Sequence, residues 1–470
     1  MSNPIYTTAD VQVAPYQFQR VLSIHLIKQL NEHVSFCIRG IVSEDKLDQY
    51  VEKADEDEHI EVFLKSEGKQ IRLFQGIVTN IAVKAVNGVR ELTIEASSET
   101  LLMDIRPKRR SFQKTGESYN KLFSHVTSSY TDAEVIDEAS HGAAIGELLV
   151  QYNETDWAFV KRIASRLHAA LIPITMQQGL KYVIGVPHSS APQPLNEHNY
   201  SIKKDLKEHK LMSRNGLPEY GESNSLSYEV TSNKVLELGS SVIFHKRTLY
   251  IAKAETTTEG NLIVNRYILR DAHGLKCPTV YAYDLSGASL FGKVIDISKE
   301  KVKIKLEIDQ GSTASGAMWF PYSTVYSSPD GSGWYVMPEA GDQIRLYFPD
   351  EREQHAFAAS SVDLASSDPV KRSDPAVKSI STKYGKQVVF KPGAVEIINS
   401  GQMLMRLTDE GGIEINSNKK ITLSAQEDIQ ITGGAKIIME GKEGVSFIQS
   451  GAKLDIMDDV RLTGGKVNIE

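Results

Sequence analysis

The order of apolar and polar positions divides the chain into stretches of different period. Between about Pro15 and Arg110, apolar residues alternate with polar ones or form short runs, as in Glu61-Val-Phe-Leu, Arg72-Leu-Phe and Arg90-Glu-Leu-Thr-Ile-Glu-Ala. A period of two sends successive side chains to opposite faces, so this stretch predicts strands. Asn87-Gly88 supplies a hairpin turn. The acidic run Asp55-Glu-Asp-Glu58 reads as a solvated loop between strands.

From Ser111 to about Ser190 the period changes. Thr155 and Asp156 are good N-cap residues. Trp157, Val160, Ile163, Ala164 and Leu167 then recur at spacings of three and four, which predicts a helix with one apolar face. Trp157 and Phe159 are expected in the core, and Lys161, Arg162 and Arg166 are expected to reach a neighbouring subunit. A hairpin follows, with strands Leu171-Ile-Pro-Ile-Thr175 and Leu180-Lys-Tyr-Val-Ile-Gly-Val186. Strands return from about Tyr200 to Asp271, best seen in Ser225-Leu-Ser-Tyr-Glu-Val, Ser241-Val-Ile-Phe and Leu262-Ile-Val-Asn-Arg-Tyr-Ile-Leu. From Gly292 to Ser361, about five short strands with polar turns, among them Lys301-Val-Lys-Ile-Lys-Leu-Glu-Ile, Gly333-Trp-Tyr-Val and Gln343-Ile-Arg-Leu-Tyr-Phe, fit a small barrel such as an oligonucleotide/oligosaccharide-binding (OB) fold. The Ser, Asp, Pro and Lys composition from Ala365 to Ser379 reads as a linker.

A different order begins after Tyr384, the last Tyr or Trp of the chain. Met405-Arg-Leu, Ile413-Glu-Ile, Ile421-Thr-Leu, Ile429-Gln-Ile, Ile437-Ile-Met and Val445-Ser-Phe start at intervals of eight. Leu454-Asp-Ile, Val460-Arg-Leu and Val467-Asn-Ile continue the series less regularly. The first and third residues of each motif are apolar, the pattern of a strand with one dry face. A fixed short period signals a solenoid. Eight residues extend at most about 26 Å, and opposed sheets stand about 10 Å apart, so a closed coil takes roughly three octads per turn. One chain then yields a stub of about three turns with open edges. Three chains, each giving one octad per turn, yield a long prism with paired edges. The reading is a homotrimer whose shared core holds Ile413, Ile415, Ile421, Leu423, Ile429, Ile431, Ile437, Met439, Val445 and Phe447.

Composition narrows the function. At 470 residues, three or four domains are expected. The chain is 41% hydrophobic and 24% charged, which suits a folded protein. A net charge of −7 lacks the cationic footprint of a nucleic-acid coat. Two cysteines, Cys37 and Cys277, exclude a disulfide scaffold or a multi-cysteine zinc site. Met1 to Arg20 shows no signal-peptide pattern, and no run approaches the roughly 20 apolar residues of a membrane span.

Motifs for chemistry are missing. There is no Gly-x-Ser-x-Gly elbow, His-Glu-x-x-His pair or phosphate loop. Asp330-Gly-Ser-Gly333 reads as a hairpin turn. His25, His33 and Cys37 match no familiar ligand spacing. Arg106-Pro-Lys-Arg-Arg110 is the densest basic patch. With no interleaved aromatics, it is expected to pair with acids rather than bind nucleic acid. No catalytic residue, cofactor or metal is expected.

Three segments carry a resemblance to a known family. Gln151-Tyr-Asn-Glu-Thr-Asp-Trp-Ala-Phe-Val-Lys-Arg-Ile resembles a hub segment Tyr-x-Glu-(Thr/Ser)-Asp-x-x-Phe-x-x-Arg, here placing Glu154, Asp156, Trp157, Phe159 and Arg162. Arg109-Arg-Ser-Phe-Gln resembles an Arg-x-Phe-Gln element. Gly333-Trp-Tyr-Val-Met-Pro-Glu-Ala-Gly-Asp-Gln-Ile-Arg-Leu-Tyr-Phe resembles the end of a spike OB domain. The family is VgrG, the hub-and-spike proteins of contractile injection machines (type VI secretion systems, phage tails and tailocins). The resemblance implies a mainly β fold with two hub β-barrels, a helical insert, an OB-fold barrel and a C-terminal triple-stranded β-helix in a homotrimer. The implied domains are 1–110, first hub barrel; 111–195, helical and mixed hub segment; 196–275, second hub barrel; 276–364, OB fold; 365–384, linker; and 385–470, spike.

The implied role is to cap the inner tube, adapt its sixfold symmetry to a threefold spike and pierce the target envelope on sheath contraction. Inner tube and baseplate proteins are the implied partners, with assembly in the producing cell's cytoplasm before expulsion. The Val-Gly repeats that named the family are absent, and neither a lysozyme domain nor an appended effector is seen. No histidine follows His355, so a tip metal held by His-x-His is excluded. Val467 and Ile469 instead mark a blunt end, the expected dock for a small tip protein of the PAAR-repeat type. A second reading, a single-chain β-helix tailspike enzyme or lectin acting on carbohydrate, suits the sequence less well. Such rungs run to about 20 residues or more, and Phe447 is the only aromatic among the octads.

Overall fold

Alternation along the first 270 residues resolves into one large sheet. In the computed structural model, Leu262–Arg270 alternates half-buried and buried residues, as does His59–Ser66. The structure describes residues 4–43, 47–66, 68–188, 191–309, 317–363, 369–400 and 403–456. They fall in two units, Met1–Leu364 and Ala365–Glu470.

The twelve-stranded sheet of the first unit runs Val11–Ala14, His59–Ser66, Lys69–Val86, Val89–Ser97, Ser35–Ile41, Arg20–Gln29, Arg247–Glu259, Leu262–Arg270, Leu226–Ser232 and Tyr200–Lys204. Two further strands, Gln193–Pro194 and Ser241–Phe244, attach beside Arg247–Glu259. Its two halves have separate cores. Ile24, Phe36, Ile38, Ile60, Val62, Phe74 and Ile94 fill the first. Val230, Val242, Phe244, Ile251, Tyr267 and Leu269 fill the second. Phe36 and Phe74 stack at 5.0 Å, a contact worth about 0.5–1.5 kcal/mol beyond its buried area. The halves join where Lys253 pairs with Gln29 and Thr257 with His25. Bulges at Val21/Ser23, Val62/Phe63, Val78/Asn80 and Ile251/Lys253 bend the strands. The strand path runs from Val11–Ala14 to Tyr200–Lys204, and the residues just before Val11 bond back to its middle: Thr7 bridges Leu262, Thr8 N donates to Asn261 O at 2.9 Å and Ile263 N to Tyr6 O at 2.9 Å. The first half therefore curls into a barrel-like sheet, and the two halves are continuous through the pairing of Arg247–Glu259 with Arg20–Gln29.

Between the halves in sequence lie helices α2 (Tyr119–Thr127) and α3 (Asp156–Arg166), preceded in the chain by the short α1 (Leu47–Glu52). They share a core with the sheet Leu171–Ile174, Lys181–Ile184 and Glu134–Asp137. The Thr155 side chain accepts from Ala158 N at 3.2 Å and caps α3, and Trp157, Val160, Ile163 and Ala164 are buried along it. Residues 289–361 form a closed five-stranded barrel, Ser289–Ser298, Lys301–Leu306, Met318–Ser323, Phe357–Ser361 and Gln343–Tyr347. Its core includes Val150 from the strand Leu149–Glu154 that leads into α3, and Leu148 just before that strand.

In the second unit, five strands from Lys378–Ser381 to Gly412–Asn416 form an antiparallel meander. It starts at Lys378, inside the stretch read as linker. Residues 417–444 hold no strand, and Val445–Gln449 pairs with Ala452–Ile456 as a hairpin. Among the described residues of this unit, only Val389 is a buried hydrophobic side chain.

Candidate functional site

The hub motif converges on a buried ionic joint. Strand Leu149–Glu154 delivers Glu154, and the first turn of α3 delivers Asp156. Two turns further along, Arg162 points back at the strand. Its guanidinium donates to both Glu154 oxygens, Nε to Oε1 at 2.7 Å and Nη2 to Oε2 at 2.8 Å. Nη1 donates to Glu353 Oε1 at 2.8 Å, and Nη2 also reaches the Val150 carbonyl at 2.8 Å. Arg166 binds the other Glu353 oxygen at 2.5 Å and closes on Glu147. Glu353 lies beside the barrel, next to its strand Phe357–Ser361, so this cluster fastens α3 to the barrel. The Arg162 and Glu353 side chains are 3% and 0% exposed, deep enough that each charge depends on the other. Burial opposes the Arg162 charge, but Glu154 and Glu353 outweigh it and hold its pKa above the ordinary value.

A second cluster surrounds Asp156. Lys108 Nζ donates to it at 2.5 Å, Arg110 at 2.6 Å, Tyr130 OH at 2.7 Å and Gln151 Nε2 at 3.0 Å. The basic patch thus does pair with a hub acid, through Lys108 and Arg110. Burial alone would raise the Asp156 pKa; the hydrogen bonds from Lys108, Gln151 and Tyr130 and the Arg110 charge bring it below the ordinary value. A depressed carboxylate stabilises the fold above its unfolded pKa and loses that contribution as pH falls through the folded value. Asp156→Asn is therefore expected to cost about 1.5–3 kcal/mol at neutral pH. The gap to the parent should narrow below roughly pH 4. Urea unfolding at pH 7 and pH 3 measures both; an equal gap at the two values would contradict it.

The structure corrects one expectation. Arg162 and Arg166 do not extend outward to a neighbouring subunit; both are spent on acids of their own chain. Lys161 pairs with Glu32 at the surface, at 3.1 Å. Trp157 and Phe159 are buried in the helical core. Glu147 and Glu353 were not singled out from sequence. No local signal marks Glu353, which lies 191 positions from Arg162.

His25, His33 and Cys37 do not converge. His25 binds Glu255, while His33 contacts Thr100 and Asp104. Among the described residues, no group of three or more His, Cys, Asp or Glu is placed to hold a metal. Among the same residues, no helix is long and apolar enough to cross a membrane.

The octads form the second candidate site. Ile413 and Ile415 lie in the last strand of the meander, and Val445 and Phe447 lie in the hairpin. Ile421, Leu423, Ile429, Ile431, Ile437 and Met439 lie where the chain makes no strand. All except half-buried Val445 are exposed, Leu423 at 73% and Ile431 at 57%. Regularly spaced apolar side chains facing water call for a covering surface. Val467 and Ile469 lie outside the described residues.

No family profile matches the chain, and no curated protein is similar to it in sequence. Solved structures are similar in fold. One is the Escherichia coli protein c3393, a component of the type VI secretion system with structural similarity to the T4 bacteriophage tail proteins gp27 and gp5. The match has a TM-score of 0.54 at 10% identity and covers 75% of this chain and 99% of that one. Another is from the Francisella PdpA–VgrG complex in its half-lidded form, with a TM-score of 0.55 at 9% identity and 88% of each chain covered. The lidded form of that complex gives 0.54 at 9% identity, covering 84% and 76%. The fold is therefore VgrG-like, similar to that of a type VI secretion component and of a chain of the PdpA–VgrG complex. At this identity the likeness is one of architecture.

Proposed function

We propose that this chain is the structural hub-and-spike of a contractile injection machine and works as a homotrimer. Its two half-sheets, repeated in three chains, give six similar segments for a ring that caps a hexameric inner tube. The end strand Tyr200–Lys204, paired on one side by Leu226–Ser232, supports closure of such a ring by a neighbour. The barrel at 289–361 acts as the OB-type collar, and the octads of three chains wind into a β-prism that pierces the target envelope on contraction. The observation that carries this reading is the row of octad side chains, regular in spacing and uncovered in one chain. The ionic joint around Arg162 fits a load-carrying role, because it ties the helical insert to the barrel.

Inner tube and baseplate proteins are the proposed partners, with a PAAR-like tip protein on the terminal octads and the target envelope as substrate of the thrust. The proposal includes no catalysis, cofactor or nucleic acid. Assembly takes place in the producing cell before expulsion. Light scattering tests the trimer: roughly 156 kDa, three times the chain mass of 52.1 kDa, is expected. A stable 52.1 kDa species would favour the single-chain tailspike reading.

A further inference from the structure

The small barrel carries an apolar face that the joint and the octads do not explain. After strand Met318–Ser323 the chain forms a ribbon, with Ser327 bridged to Gly333. Trp334 N donates to Tyr326 O at 2.9 Å, and Ser328 N to Ser332 O at 2.9 Å. The Tyr335 hydroxyl donates to Lys299 O at 3.0 Å and ties the ribbon to the barrel. Gly333 has φ +138°, and an added Cβ there would meet Tyr326 O at 2.4 Å, so only glycine permits this close pairing. The ribbon is thus held in shape with its large side chains turned to solvent. Val325 is 86% exposed, Tyr335 69%, Val336 61%, Trp334 55% and Tyr326 52%.

Those five side chains present on the order of 700 Å², close to the roughly 800 Å² that one partner contributes to a standard protein interface. Charge is depleted as in an interface core. Residues 317–338 hold one charged residue, Asp330, in a chain that is 24% charged. The ribbon's polar groups are largely committed within it. Asp330 accepts from Ser332 N and Oγ at 2.9 and 2.7 Å, and Thr324 Oγ1 donates to Tyr326 O at 2.9 Å. A sugar site would keep such groups free, and the dent beside the aromatics holds only about 80 Å³.

We infer that this ribbon is a subunit contact, covered by a second copy of the chain, with Trp334 and Tyr335 as its anchors. The inference rests on the proposed trimer. Sixteen residues, 362–377, separate the last barrel strand from the first strand of the octad-bearing unit. Sister chains joined through that unit would hold their barrels at roughly millimolar effective concentration, enough for a surface of this size to close.

Full-length protein tests it through acrylamide quenching of Trp334, taken as the difference between the parent and Trp334→Phe. The parent should be a trimer by light scattering, with the Trp334 signal shielded. Trp334→Ser/Val336→Ser, altered only at exposed side chains and leaving the Tyr335–Lys299 hydrogen bond in place, should raise the concentration for half-dissociation in moderate urea at least about tenfold. A parent trimer with Trp334 freely quenched and an unchanged double variant overturns the inference and leaves the spike reading standing. Shielding that arises only on adding peptidoglycan fragments or tube protein overturns it in favour of that occupant. A parent monomer removes both readings.

Discussion

Arg162→Met is expected to destabilise the first unit by about 3–5 kcal/mol, the cost of breaking a buried ion pair from one side. Met keeps much of the apolar stem and removes the fork. Glu154 loses its bidentate partner, and Glu353, with no side-chain exposure, keeps only Arg166. A carboxylate left so deep must either protonate or draw in water. Chemical unfolding of the variant and parent measures the loss. Adding Glu353→Gln to Arg162→Met should restore part of it, because the stranded charge goes with the carboxylate. The two single losses should therefore sum to more than the double. A parent-like midpoint for Arg162→Met would mean that the joint does not hold the insert to the barrel.

Ile431→Asp is expected to abolish the trimer while leaving each chain folded. In the lone chain Ile431 is 57% exposed, so aspartate there costs the monomer little. In a three-chain prism the same position brings three carboxylates into one dry interior, at several kcal/mol per ion. The mass should fall from roughly 156 kDa toward 52.1 kDa, with the unfolding transition of the first unit unchanged. An unaltered mass and melting curve would count against the prism.

The helix α3 was legible because its causes are local. Its N-cap, its apolar spacing and its basic last turn all lie within twelve residues. The alternating strands and the five-strand count of the barrel were legible for the same reason. But Gly333-Trp-Tyr-Val, read as one of the five, makes only an isolated bridge at Gly333, and Met318–Ser323 and Phe357–Ser361 complete the barrel instead. Asp156 and Arg162 could be marked by their motif, but not their partners. Arg162 meets Glu353 across 191 positions and Asp156 meets Arg110 across 46, and no periodicity records such distances. The outward reach expected of Arg162 failed because the helix face it occupies is covered by the barrel. The joined half-sheets were hidden as well: the pairing of Lys253 with Gln29 depends on sheet order, which strand patterns alone leave open.

Sequence alone determined the strands and the helix whose periods are local, and that the octads repeat every eight residues. These are properties of short windows, set by side-chain direction and backbone reach. Tertiary structure decided which charges neutralise one another, which aromatics stay uncovered and how the two half-sheets join. Those outcomes turn on burial, and a residue's burial is set by distant segments that its own window does not contain.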